Sequence, residues 1–234
     1  MTADAARSDP DPGQIPNPTL AGSSYAAALV AQAADRPKGE RSRAQLLRAV
    51  CELLEGQPPQ DLTIAAICGR AGLSNGAFYV YFSDRGLLLD ELLTGFVGFA
   101  QAAMRAASRV RPDDPVRAAT RAYVALFREN RGLMRCLVHH LEGFPEARAA
   151  FHRFNRDWLE GVAAAVERDL ARQGRAGAIA RDELLRRAYA LGGMVDQYLS
   201  SLLLSEDPAL MAVSGDEAAV LDTLDLIWDR GMQP

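Results

Sequence analysis

Cysteine is scarce in this 234-residue chain, with only Cys51, Cys68 and Cys136. They form an odd set without CxxC spacing, and each lies in an apolar periodic segment. This argues against a disulfide framework and for small buried side chains in a reducing compartment. No run approaches the roughly 18 apolar residues of a membrane span. The opening "MTADAARSDPDPG" has neither the basic nor the apolar stretch of a secretory leader, so a cytoplasmic protein with no membrane partner is expected. Strand-like alternation longer than a few residues is missing, as are HExxH spacing and clustered carboxylates. His139 and His140 project about 100° apart on a helix. No metal and no other cofactor is expected.

What is present is an ordinary globular composition, 49% hydrophobic, 7% aromatic and 24% charged. The net charge of −4 argues on its face against nucleic acid, but it is unevenly spread. Between Arg36 and Gly86 seven basic residues face five acidic ones, a balance of +2 that leaves −6 for the rest of the chain. Such asymmetry suits a small module that approaches phosphate beside a larger acidic domain that does not.

Residues 1 to 21, rich in Pro, Asp, Gly and Ala, are expected to form a flexible tail. Everything after them reads as helix. "SYAAALVAQAAD" predicts a short helix ahead of Pro37. The first strong helix runs from about Glu40 to Glu55, with an apolar stripe of Leu46, Leu47, Val50, Cys51, Leu53 and Leu54. Thr63 is placed to cap "IAAICGRA", which Gly72 ends, and Ser74 caps a third, very short helix. Ser83 is expected to cap a helix reaching about Ser108, and Asp114-Pro115 to open the next. Further helices are expected over about 132–141, 145–173 and 182–205, with "SGDE" at Ser214 to Glu217 as a capping box for the last. The fold class is therefore all-α. Its expected domains are an extension over 1–35 that is flexible with at most one short helix, a helix-turn-helix domain over 36–86 and a larger helical domain over 87–234.

The stretch "GLSNGAFYVYFSDR", residues 72 to 85, is too polar at its start for a core helix and too aromatic for a loop. Two helices joined by a turn of three or four residues can present the second to the DNA major groove. Cys68 supplies the small residue where they cross, Gly72 the sharp turn, and Leu73 and Phe78 the apolar anchors. Phe78 and Phe82, four apart, face inward together. Asn75, Gly76 and Ala77 are left for base edges, while Tyr79, Tyr81, Thr63 and Ser74 offer hydroxyls to phosphate oxygens and Arg85 adds a charge. Arg43 of the first strong helix is counted with this interface.

The whole segment "LTIAAICGRAGLSNGAFYVYFSDRGLLLDELL" resembles the N-terminal DNA-binding domain of the TetR (tetracycline repressor) family over about residues 40 to 93. Thr63, Ala71-Gly72, Ser74, Gly76, Tyr79, Phe82 and Leu88 carry the resemblance. Cys68, Tyr81 and Arg85 depart from the usual alanine, histidine and lysine, and Gly86 is unexpected near a helix start. The resemblance implies an all-helical homodimer that binds a double-stranded DNA operator through its first three helices and a small molecule in its C-terminal domain. It further implies that Thr63, Ser74, Tyr79, Tyr81 and Arg85 touch the DNA backbone, with Asn75, Gly76 and Ala77 nearest the bases.

Beyond about residue 93 the residues speak alone. Aromatic side chains at helical spacing, with flexible methionines, suit the wall of an apolar cavity. Phe99, Met104, Tyr123, Phe127, Met134, His139, Phe151, Asn155 and Trp158 are the candidate lining. The last two helices carry Leu184, Leu191, Gly192, Val195, Leu199, Leu202, Leu221, Leu224 and Trp228, read as half of a two-fold four-helix interface. The expected function is a ligand-responsive transcriptional regulator, a repressor released by a small hydrophobic or amphipathic molecule. The alternatives are a helical adaptor without specific DNA binding and an enzyme using Cys136 with a histidine.

Overall fold

A computed structural model describes residues 24–234, so the tail expected over 1–21 lies outside the described residues. Among the described residues there is helix and no strand. Helix α1 spans Tyr25–Ala33, α2 Lys38–Leu54, α3 Ile64–Ala71, α4 Asn75–Tyr81 and α5 Arg85–Val110. Then follow α6 over Pro115–Glu129, α7 over Arg131–His139 and α8 over Pro145–Arg172. Helix α9, Arg181–Leu199, runs into a π turn at Ser200–Leu204 before α10 at Pro208–Val213 and α11 at Glu217–Gly231.

Helices α2, α3 and α4 pack around Leu46, Val50, Ile67 and Phe78, all fully buried. The turn between α3 and α4 rests on Gly72, at φ 69°, where a Cβ would be strained. Leu73 N–H donates back to Cys68 O (2.9 Å), closing α3 in a Schellman arrangement.

Helix α5 is long and apolar enough to cross a membrane, contrary to the expectation of no such run. Here it is the central strut of the protein, packed against α6 and α8, with Leu88, Leu92, Phe96 and Phe99 buried. Its N-cap is Asp84 rather than Ser83: Leu87 N–H donates to Asp84 Oδ1 (2.9 Å). Both residues offer an oxygen, but only Asp84 stands immediately before the first helical residue. A Cβ on Gly86 would lie 3.1 Å from that same Oδ1, so the unexpected glycine leaves room for the cap.

Two contacts join the first helices to the rest, and a third ties α5 to α8. Tyr25 of α1 is buried against Phe96 and Phe99, at ring separations of 5.6 and 5.3 Å, and its N–H donates to Asn130 Oδ1 (2.8 Å). The short helix of the extension is thereby part of the core. At the start of α7, Gly132 lies directly on the backbone at the end of α2, where an added Cβ would be 2.4 Å from Leu54 C. Around it Gly132 N–H donates to Glu55 Oε1 (3.0 Å) and Arg135 Nη1 to Leu54 O (3.3 Å). Lastly, the buried Asp90 of α5 accepts from Ala147 N–H (2.8 Å) and Glu146 N–H (3.2 Å), capping α8 from another helix.

Near the C-terminus, α11 is capped by Asp216, which accepts from Ala218 N–H (2.9 Å), and not by a box from Ser214. Ser214 instead pairs its hydroxyl with that of Tyr198 (3.1 Å). Helix α10, capped by Asp207, was not expected. Helix α11 docks on α6 through Arg117 and the buried Asp225 (2.9 Å).

Candidate nucleic-acid interface and effector chamber

The local signals in residues 63 to 81 place one surface. Thr63 Oγ1 accepts from Ala66 N–H (3.1 Å) and Ser74 Oγ from Ala77 N–H (3.3 Å), so both proposed phosphate contacts are also helix caps. Asn75 and Gly76 are exposed and Ala77 half-buried on the first turn of α4. Tyr79 and Val80 stand outward, 60% and 74% exposed, while Phe78 and Phe82 fill the core behind them. A Cβ on Gly76 would meet nothing closer than Ser74 Oγ at 4.0 Å, so nothing within the chain requires that glycine. Tyr81 is half-buried and leans toward Gly39 at the start of α2.

The two arginines have partners inside the chain. Arg43 is ion-paired with Glu91 and lies over the Phe82 ring, 5.1 Å from its centroid. Arg85 Nη1 donates to Gln60 O (3.0 Å) and to Leu62 O, fixing the loop that leads into α3. Arg48 and Arg70 both face Glu52. Exposed pairs of this kind are worth only about 0–1 kcal/mol each, so they can exchange for phosphate at small cost.

In the larger domain a chamber of about 50 Å³ lies between α5, α6, α8, α9 and α11. Of the expected lining, Met104, Tyr123, Phe151, Asn155 and Trp158 surround it. Phe99, Phe127 and Met134 are fully enclosed core instead, and His139 hydrogen-bonds Ser200 (2.8 Å) at the π turn. Sequence reasoning missed Asp196, which reaches the chamber from α9 and accepts from Tyr123 Oη (2.7 Å). Burial pushes its carboxyl up to about 6, against the opposing effect of the tyrosine bond. The signal was there: one acid in the apolar run "ALGGMVDQYL".

Residues 46–92 match the sequence profile TetR_N, described as "Bacterial regulatory proteins, tetR family". The HTH-type transcriptional regulator EthR of Mycobacterium tuberculosis is 26% identical over 197 residues, covering 82% of this chain and 88% of its own. Over residues 46–92 this chain carries the TetR-family segment, and over most of its length it is similar to a transcriptional regulator. The fold of the chain is shared with the fatty acid degradation regulator FadR from Bacillus halodurans, at a TM-score of 0.60 and 12% identity over 82% of this chain and 94% of that one. FadR from Bacillus subtilis, solved in complex with stearoyl-CoA, gives 0.55 and 15% over 77% and 96%.

The expected dimer residues take other places in the protein. Leu184, Leu191, Val195, Leu199, Leu202, Leu224 and Trp228 are buried within the single chain, and Leu221 is half-buried. Gly192, Val195 and Trp228 line the chamber, and a Cβ on Gly192 would meet Leu159 of α8 at 3.7 Å. Helical periodicity identifies an apolar face but not what covers it. The outward apolar positions of α9 and α11 are Tyr189, Met194 and Leu226, 47%, 41% and 54% exposed, with Gly193 open beside them.

Cys136 is fully buried, and burial pushes its thiol up to about 12, which leaves almost no thiolate at neutral pH. Among the described residues no group of three or more His, Cys, Asp or Glu side chains could hold a metal ion.

Proposed function

We propose that the protein acts in the cytoplasm as a homodimeric repressor that binds a two-fold DNA operator and is released by a small hydrophobic or amphipathic molecule in the chamber. The observation that carries this reading is the outer face of α4. Asn75, Gly76, Tyr79 and Val80 have no cover from the chain, on a helix anchored by Phe78 and Phe82. Gly76, in the first turn, lowers helix stability by less than about 1 kcal/mol relative to alanine and serves no internal contact, which suits close approach of a DNA surface. Thr63, Ser74, Tyr79 and Tyr81 then contact phosphate, and Asn75 and Ala77 lie nearest base edges. Arg43 joins them by exchanging its present partner for phosphate, and Arg85 through the guanidinium donors that its two carbonyl bonds, both made by Nη1, do not use. Residues 36–86 form the DNA-binding unit and 87–234 the effector and dimer unit.

The dimer forms through the Tyr189, Met194 and Leu226 face of α9 and α11. Two recognition helices must stand about 34–36 Å apart to enter successive major grooves. An effector with higher affinity for another spacing draws the population off the operator. The test is a salt titration, by fluorescence anisotropy, on the DNA upstream of the protein's own gene against a scrambled duplex. Steep salt dependence with preference for the native sequence is expected. Tyr79→Phe should weaken both duplexes alike, whereas Asn75→Ala should alter preference; unchanged binding in both variants refutes the interface.

A further inference from the structure

A groove of about 270 Å³ adjoins the chamber and shares two of its walls, Phe154 and Trp158. Its floor is apolar, with Val116 and Val162 beside the two aromatics, but its rim is not. Arg105 of α5 and Arg168 of α8 stand there exposed, with no carboxylate partner among the described residues. Gln101 and Ser108 lie on the same rim. The groove also meets the start of α6 at Pro115 and Val116, where Asp114 makes no side-chain cap and pairs with Arg117 (3.2 Å) instead. The first-turn amides of a helix left uncapped attract an anion. The one acid on the rim, Asp157, has Arg156 beside it (3.7 Å).

We propose that this groove is the head-group end of the effector site, and that the effector is a single-chain amphiphile with an anionic end, a carboxylate or a phosphate. Its head lies between Arg105, Arg168 and the start of α6, and its tail passes Phe154 and Trp158 into the inner chamber. The inference rests on the reading of the chamber as the effector site. From Arg168 to Phe151 the site follows α8 for about 25 Å at 1.5 Å per residue, a path that suits a chain rather than a compact ring system. Asp196 at the inner end disfavours the reverse orientation, because an anionic head there would meet a second carboxyl with no cation lining that chamber.

Both tryptophans of the protein, Trp158 and Trp228, line the combined site, so intrinsic emission of the full chain reports binding. Dodecanoate, dodecyl phosphate and dodecanol are titrated in parallel below their aggregation thresholds. Both anions should bind at least about tenfold tighter than the alcohol, as charge-assisted hydrogen bonds imply. Arg105→Gln with Arg168→Gln should erase that advantage. Gly161→Leu places a side chain in the groove at a position with no heavy atom within 4 Å, and should block all three ligands without disturbing the fold. Equal affinity for dodecanol and dodecanoate, uniform weakening by the arginine variants, or no binding of any probe overturns the inference. The same ligands added to the DNA complex separate the two levels. If dodecanol binds as tightly as the anions and releases DNA, the head-group site fails and the effector reading stands. If the anions bind through the arginines yet leave DNA bound, the groove stands and the effector reading fails.

Discussion

Replacing Gly132 with alanine should loosen the joint between α2 and α7. The added Cβ would lie 2.4 Å from Leu54 C, 2.5 Å from Leu54 O and 2.8 Å from Glu55 N. Carbon atoms not bonded to each other settle at about 3.5–4.0 Å, so the two helices must part by roughly 1 Å. The atoms in the way belong to the backbone of α2 and cannot rotate aside. Overpacking of this kind costs about 1–3 kcal/mol. Parting also stretches the Gly132 N–H bond to Glu55 Oε1 (3.0 Å), worth about 1 kcal/mol. Alanine's helix preference offsets at most about 1 kcal/mol and less in a first turn, for a net destabilisation near 1–3 kcal/mol. For a chain of this size each kcal/mol moves the melting temperature by about 2–4 °C, so a fall of roughly 3–10 °C is expected in a thermal melt followed by circular dichroism. A variant that melts at or above the parent temperature would show that the close approach carries no energetic weight.

Arg85→Ala should lower the melting temperature in the absence of DNA, because it leaves the Leu62 and Gln60 carbonyls without their charged donor, a loss of about 1–3 kcal/mol. A variant impaired only in DNA affinity would contradict that structural role. Asp90→Asn keeps the shape but replaces one of the two carboxylate oxygens with an amide donor facing the start of α8, and should destabilise by about 1–3 kcal/mol; an unchanged melt refutes the cross-helix cap. For Asp196 the folded-state value, about 6, lies above the ordinary 3.8. The held proton therefore contributes stability that is fully present below about pH 4 and is lost as pH rises through about 6. The melting temperature of Asp196→Asn should gain on that of the parent between pH 4 and 7, and a constant difference across that range would refute the assignment.

The parts of the interface legible in the sequence were those specified by a few adjacent residues. Thr63, Gly72 and Ser74 act on their own backbone, and the structure has each in its expected role as cap or turn. Where two oxygen-bearing residues stood within two positions of each other, local pattern did not choose between them. Asp84 caps α5 instead of Ser83, and Asp216 caps α11 ahead of any box from Ser214. Long-range partners were out of reach altogether: Asp90 capping α8, Tyr123 on Asp196, and Glu91 beside Arg43 join residues 48 to 73 positions apart. The leucines of α9 and α11 illustrate the same limit, since an apolar stripe looks alike whether its own chain or a second copy covers it.

The cap that Asp90 places on α8 also restricts how that helix can move. Its 28 residues extend about 42 Å, and one end is tethered to α5 by two amides on a single carboxylate. Any displacement that preserves both bonds is a swing about residues 146 and 147, small near Phe151 and growing along the helix. Along the α8 wall Arg168 therefore travels farthest, Trp158 and Phe154, which the groove and the chamber share, travel less, and Phe151 least. A molecule entering from the outer end would meet the part of the wall farthest from that tether first and the tethered part last.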